Sequence, residues 1–167
     1  MEPSKEEIIL KAMGELGLDL TSFPARFDTR LRFQKYIYIF QSVFRNFYAG
    51  DFSLYLRGPY SSDVAKLGYD IHKRAAELKE QTSCWEFNKR AKEMLQIMRD
   101  LFAGESNGLT QNDKLEAYTT YRHLKGWYFG EKSSERAQDE LFRRKKQFEV
   151  EREKVENFIK KVEAALL

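Results

Sequence analysis

The run from Leu31 to Tyr48 reads LRFQKYIYIFQSVFRNFY. Apolar residues in it recur at alternating steps of four and three, which places them on one stripe of a helix: Phe33, Ile37, Phe40, Phe44 and Phe47. Other large apolar residues lie beside that stripe: Tyr36, Tyr38, Ile39, Val43 and Tyr48. A helix that is apolar around most of its circumference is covered by neighbours on several sides. We therefore expect a helix from Leu31 to Tyr48 at the centre of the core.

A short strand, a turn and a second helix are predicted next. Phe52 to Leu56 alternates in the way that a strand does. In the following segment, RGPYSS, glycine tolerates positive φ and proline fixes φ, which is typical of a turn. Ser61 or Ser62 can then cap a helix whose apolar residues recur at helical spacing as far as Leu78.

The rest of the chain is also predicted to be mainly helical. Ser4 and Glu7 have capping-box spacing and open a first helix. Further helical stripes lie within residues 88–102, 110–126, 133–142 and 150–166. Glu80 to Phe87 is either a strand that pairs with residues 52–56 as a small wing, or a loop. Gly104 to Gly108 predicts a loop inside one domain of 167 residues, since neither half alone would bury enough surface.

The composition is typical of a soluble globular domain, with 42% hydrophobic and 33% charged residues. A net charge of +3 is small for a protein that binds nucleic acid mainly through phosphates. The single cysteine excludes an internal disulfide, and the two histidines, His72 and His123, are too far apart in sequence to predict a metal site. We find neither a signal peptide nor an apolar run that could span a membrane, and we therefore expect a cytoplasmic location.

No motif predicts catalysis. The chain has no pattern for a phosphate-binding loop or a nucleophile elbow. Cys84 could form a thiol–imidazole pair with a histidine. A lone cysteine beside Trp85 is more typical of a packed small hydrophobic residue, and we expect that arrangement. The sequence therefore predicts a protein that is not an enzyme and needs no cofactor.

Two segments carry a resemblance to a known family. RFQKYIYIFQ at residues 32–41 and FSLYLRGPYSSDVAKLGYDI at residues 52–71 resemble the YwgA-like group of small prokaryotic domains, and more distantly the SocA-like antitoxin domains. The resemblance continues into KLEA at residues 114–117, but residues 142–148 read FRRKKQF, without the proline expected before the last helix. The resemblance implies a winged-helix-like, mainly α fold with a small β-ribbon. It also implies a binding role, in which such domains engage a toxin or accompany a domain that reverses DNA modification.

The first functional hypothesis is a module that binds a protein partner, either a toxin or a regulatory target. Tyrosine and arginine dominate binding hot spots, and binding residues tend to lie on turns that a rigid scaffold holds. The candidate docking residues are Tyr55, Arg57, Tyr60, Ser61 and Ser62. The alternative is that Tyr36 and Tyr55 are core residues and that Arg57 pairs with Asp63 or Asp70.

The second hypothesis is a DNA-binding winged-helix regulator, with the helix opened by Ser61 or Ser62 as its recognition helix. The candidate nucleic-acid contacts are Lys66, Lys73, Arg74, Lys79, Arg143, Arg144, Lys145 and Lys146. Asp63, Asp70 and Glu77 share the face of the first group, so its charge is nearly balanced. A basic run near the end of a chain is usually solvated. We therefore favour the protein partner and keep DNA as the alternative.

Overall fold

The computed structural model describes residues 1–166. Its helices are α1 (Lys5–Glu15), α2 (Phe27–Val43), α3 (Ser62–Lys73), α4 (Ala75–Thr82), α5 (Lys89–Phe102), α6 (Gln111–Lys125), α7 (Ser133–Arg144), α8 (Lys146–Val150) and α9 (Arg152–Leu166). A short 3-10 helix spans Leu20–Ser22. Two antiparallel strands, β1 (Ser53–Tyr55) and β2 (Gly58–Tyr60), form a hairpin. This confirms the prediction of a mainly α fold with a small β-ribbon.

Helix α2 lies at the centre of the core, as predicted, and contacts α1, α3, α6 and β2. Its buried side chains point in several directions around the helix: Leu31, Phe33, Tyr36, Ile37, Ile39 and Phe40. The helix ends at Val43, earlier than predicted. Beyond it the main chain turns back, and the Gln41 side chain binds it by accepting from Ala49 N at 2.8 Å and donating to Gly50 O at 3.0 Å. Phe44 and Phe47 leave the helix and fold back onto Phe40.

Helix α6 is a second central helix, in contact with α2, β2, α7 and α9. The sequence pattern predicts one apolar stripe on it, but polar side chains outside that stripe are buried too: Lys114, Glu116, Thr119 and Thr120. These side chains are covered because neighbours pack on more than one face of the helix. A local apolar pattern cannot report burial of this kind, since it assumes that polar residues face water.

Three boundaries differ from the sequence-based expectations. The hairpin turn lies at Leu56–Arg57, and Gly58 and Pro59 belong to β2 rather than to the turn. The helix that Ser61 caps ends at Lys73, and a separate α4 follows. Residues 83–87 form a loop, so the wing alternative for that segment is wrong. The loop at 104–108 is present, and one cluster of buried apolar residues includes side chains from both sides of it.

Replacing Phe40 with alanine should lower the free energy of unfolding by about 3–5 kcal/mol, the usual cost of deleting a buried phenylalanine ring. Phe40 is only 4% exposed. The matched control is Phe129→Ala, because Phe129 is 89% exposed. The control should change stability by less than about 0.5 kcal/mol. Denaturant melts measure both values, and a cost below about 1 kcal/mol for Phe40→Ala would show that α2 is not the centre of the core.

Candidate functional site

Four ionisable side chains meet beneath the hairpin, and we call them the ion cluster: Lys35, Arg57, Glu116 and Lys145. The Glu116 carboxylate on α6 accepts hydrogen bonds from Arg57 Nε and Lys145 Nζ, each at 3.0 Å. Lys145, between α7 and α8, also donates to the carbonyl of Leu56 in the turn. Lys35 on α2 donates to the carbonyl of Pro59 at 2.7 Å. The cluster therefore ties the hairpin to α2, to α6 and to the junction of α7 and α8.

Gly58 lets the hairpin approach these helices. Its φ is +95°, a conformation that side-chain-bearing residues rarely adopt. A Cβ at this position would lie 2.8 Å from the Thr120 hydroxyl and 3.3 Å from Lys35 Nζ. The Thr120 hydroxyl is itself buried and finds no hydrogen-bond partner among the described residues. Backbone conformation and close packing thus both require glycine here.

The ion cluster holds three cationic groups and one carboxylate, so it carries excess positive charge when all are ionised. Burial lowers the pKa of Lys35 to about 7; Glu116 opposes the shift, while Lys145 and Arg57 add to it. The amine of Lys35 therefore changes charge near neutral pH. A nearby anion would favour its protonated form.

A cleft of about 370 Å³ lies beside the ion cluster. Aromatic side chains form much of its wall: Phe23, Phe27, Tyr55, Tyr60 and Tyr69. Arg30, Lys35 and Arg57 also line it, and no acidic side chain of the described residues does. Around its mouth, large apolar side chains are exposed: Phe27, Tyr55, Leu56, Tyr60 and Tyr69. We call these exposed side chains the rim; the cleft inside it has a largely aromatic wall and is also lined by basic side chains.

The structure brings together three of the predicted docking residues, Tyr55, Arg57 and Tyr60, at this cleft. Ser61 requires a correction. It is 2% exposed; its main chain exchanges hydrogen bonds with the Gln34 side chain, and its hydroxyl accepts from Val64 N as the cap of α3. Ser62 is exposed but does not line the cleft.

Arg57 pairs with Glu116 rather than with Asp63 or Asp70. Sequence reasoning missed the other residues of the cleft, among them Phe27, Arg30, Lys35 and Tyr69. Phe27 and Arg30 precede Leu31, where the predicted helix begins. Lys35 is buried, whereas a charged residue within a helical pattern is expected to face water. The available signal was the spacing of Phe27, Leu31 and Gln34, which extends the helical face by one turn.

The predicted nucleic-acid contacts lie in two separate places. Lys66, Lys73 and Lys79 are exposed on α3 and α4. Arg74 pairs with Glu77. The other exposed residues predicted to contact nucleic acid also form salt bridges. Arg143 and Arg144 pair with Glu140, and Lys146 pairs with Glu149.

Lys145 requires a correction, because it is 8% exposed and pairs with Glu116. A buried ammonium group cannot reach a phosphate on the surface. The run RRKK is therefore not one continuous basic patch.

Cys84 is exposed, so the expectation that it packs in the core is wrong. Helix α4 ends at Thr82, and Trp85 takes the packed position instead, against Phe87 and beneath the Lys11 ammonium. Within residues 1–166, no three His, Cys, Asp or Glu side chains are arranged to hold a metal ion. None of the described helices combines the length and the apolar character needed to cross a membrane.

Replacing Glu116 with glutamine should destabilise the protein by about 3–5 kcal/mol, because it leaves the buried ammonium group of Lys145 without its carboxylate. The matched control is Glu77→Gln, which removes the exposed pair with Arg74 and should cost less than about 1 kcal/mol. Urea melts of both variants at neutral pH measure the difference. Equal costs for the two substitutions would mean that the ion cluster does not hold the hairpin.

Stability should rise with pH between about 7 and 9 because of Lys35. A lysine in the unfolded chain has a pKa of about 10.4, so in this range the unfolded state binds more protons than the folded state. Lys35 then adds at most about 1.4 kcal/mol of unfolding free energy per pH unit. The Lys35→Met variant should lack this rise. Denaturant melts at several pH values compare the two slopes, and identical slopes would contradict the lowered pKa of Lys35.

Comparisons of the chain with family models, with curated proteins and with solved structures find no match. The relation to YwgA-like domains therefore remains a resemblance, carried by the segments quoted above.

Proposed function

We propose that this chain is a non-enzymatic binding module that docks a protein partner through the cleft and its aromatic rim. The observation that carries the proposal is the rim itself: Tyr55 is 60% exposed and Leu56 is 87% exposed at the tip of the hairpin. The resemblance to YwgA-like and SocA-like domains makes a toxin or a regulatory target the expected class of partner, in the cytoplasm.

The chemistry of the rim supports a protein partner. Contiguous exposed apolar side chains mark interaction sites more often than ordinary surface. Tyrosine and arginine lead the hot spots of protein interfaces, and Tyr55, Tyr60 and Arg57 supply these types beside one cleft. The Tyr55 and Tyr60 rings also contact each other edge to face, with centroids 5.4 Å apart.

The hairpin is held in place before any partner arrives. Lys145 and Lys35 bind its main-chain carbonyls, and Glu116 binds Arg57 in its turn. A surface that is already ordered loses less conformational entropy on binding. The loop that carries the rim is therefore suited to rigid docking.

The proposal assigns no reaction to the cleft. The polar side chains that line it are engaged in the fold: Arg30 donates to Pro24 O at 2.7 Å, and Gln34 and Lys35 bind Ser61 and Pro59. Lys35 is the one amine that lines the cleft within the described residues, and it holds the hairpin through Pro59. These groups act as a recognition surface.

A winged-helix regulator that binds DNA through α3 is the second candidate. The exposed amines of Lys66, Lys73 and Lys79 favour it. Asp63 and Asp70 are exposed on the same helix, and mixed charge weakens attraction to phosphates. We rank this function below the protein partner.

Tyr60→Ala should weaken partner binding by about 2 kcal/mol or more, the loss expected at a hot spot. The matched control is Tyr48→Ala, because Tyr48 is also exposed, at 54%, but does not line the cleft. The full-length chain is used to capture partners from lysate of its source cells, and each captured protein is purified and titrated against both variants. The proposal requires a loss with Tyr60→Ala alone and little change with salt.

A different result would support the DNA alternative. Duplex DNA would bind at physiological salt with a steep salt dependence, and a Lys66→Gln, Lys73→Gln double variant would lower the slope by about two units. That outcome, with Tyr60→Ala unchanged, would overturn the proposal of a protein partner.

A further inference from the structure

We infer that the cleft takes an acidic apolar segment of the partner, in which the side chain of an aspartate or glutamate lies beside a large apolar side chain. The inference rests on the proposed function and names the chemistry that this site selects. It follows from the basic side chains that line the cleft, from the apolar wall, and from the terminal nitrogens of Arg57, which make no hydrogen bond within the described residues.

The cleft is lined by cations whose charge the fold cancels only in part. Arg30, Lys35 and Arg57 line it. Arg30 and Lys35 donate to main-chain carbonyls, which satisfy hydrogen bonds but carry no formal charge. Glu116 is the carboxylate of this region, and it already accepts from both Arg57 and Lys145. One further carboxylate would reduce the excess positive charge of the cluster. Attraction between charges is stronger in a partly desolvated cleft than in water.

Arg57 is placed to receive that carboxylate. It uses Nε toward Glu116, and within the described residues its two terminal nitrogens make no hydrogen bond. Its guanidinium lies over the Phe27 ring, 5.6 Å from the centroid, and its side chain remains 44% exposed. Terminal guanidinium nitrogens bind carboxylates in a bidentate fork. Arg57 therefore connects the buried cluster to a ligand at the mouth of the cleft.

The apolar wall defines the rest of the occupant. Phe23 and Tyr69 pack edge to face, with centroids 5.0 Å apart, and Leu31 lies beside them in the wall. A volume of about 370 Å³ is near the lower end for ligand pockets, which suits a few side chains rather than a folded element. A basic segment would be repelled by the three cations that line the cleft. A neutral segment would leave these cations without an opposite charge. An acidic side chain next to a large apolar one satisfies both parts of the cleft.

Binding should then depend on pH through Lys35. The charged groups that face it are Glu116 from α6, Lys145 from the junction of α7 and α8, and Arg57 from the hairpin turn. A bound carboxylate favours the protonated form of Lys35 and therefore raises its pKa. Above pH 7, binding of the acidic segment is thus accompanied by uptake of a proton by the Lys35 amine. Affinity is highest when Lys35 is already protonated, and it falls as pH rises through about 7.

The experiment selects peptides directly. Random linear peptides displayed on phage, which present no free C-terminus, are panned against the immobilised full-length chain. Enriched peptides are synthesised with capped ends, and their Kd is measured by fluorescence anisotropy. Each peptide is paired with a version in which its acidic residue is replaced by the amide.

The expected result is enrichment of Asp or Glu beside a large apolar residue. The amide version should bind to the unmodified protein about tenfold more weakly or worse. The acidic peptide should lose as much affinity for the Arg57→Gln variant. The two losses should not add, because both changes remove the same interaction. Lys66→Gln, an exposed cation outside the cleft, is the matched control and should bind normally. Acidic peptides should bind about tenfold more weakly at pH 8 than at pH 6, and Lys35→Met should remove that dependence.

Several outcomes would overturn the inference: no enrichment, enrichment of basic or uncharged motifs, or amide peptides that bind as well as acidic ones. If a peptide whose single carboxylate is its free C-terminus bound more strongly, the carboxylate that the cleft binds would be the end of a chain and not an acidic side chain. Uncharged peptides that still lose binding with Tyr60→Ala would overturn this inference and leave the proposed function standing. Peptides indifferent to both Tyr60 and Arg57 would overturn both.

Discussion

The structure depends on the pairing of one buried carboxylate, that of Glu116, with cationic side chains. Its side chain is 3% exposed, and an unpaired charge at that depth would cost more than a marginally stable domain can lose. The partners come from distant parts of the chain, Arg57 from the hairpin and Lys145 from the junction of α7 and α8. Burial of Glu116 therefore draws the hairpin onto α6 and brings the C-terminal helices against it.

The same constraint produces the candidate site. To satisfy Glu116, Lys35 and Lys145, the hairpin must lie close to α2 and α6, which Gly58 permits. In that position its tip holds Tyr55 and Leu56 away from the core, beside an open cleft. The cluster then holds more positive charge than its single carboxylate can balance. Such an excess of positive charge lowers the stability of the folded protein. Proteins commonly retain unfavourable arrangements of this kind at the sites where they bind ligands or partners.

Local physics was enough to predict most helices and their starts. The capping box at Ser4 and Glu7 and the cap at Ser61 are present in the structure, and α5 and α6 begin close to the predicted residues 88 and 110. The cluster of aromatic residues around Tyr55, Arg57 and Tyr60 was also predicted, because residue type and the turn lie within a few positions of one another. Two predictions failed because the contact partner is remote in sequence: Ser61 is buried against the Gln34 side chain, and Lys145 is buried against Glu116. Cys84, which was expected in the core, is exposed in the loop after α4.

The sequence by itself determined a mainly α chain with α2 in its core and a short strand and a turn before α3, since spacing, caps and turn residues act over a few positions. Only the tertiary structure decided which polar residues are buried and which cations face a cleft. Arg57 and Glu116 are separated by 59 positions, and Leu56 and Lys145 by 89. Burial and charge compensation depend on which segments pack together, and that is a property of the whole chain.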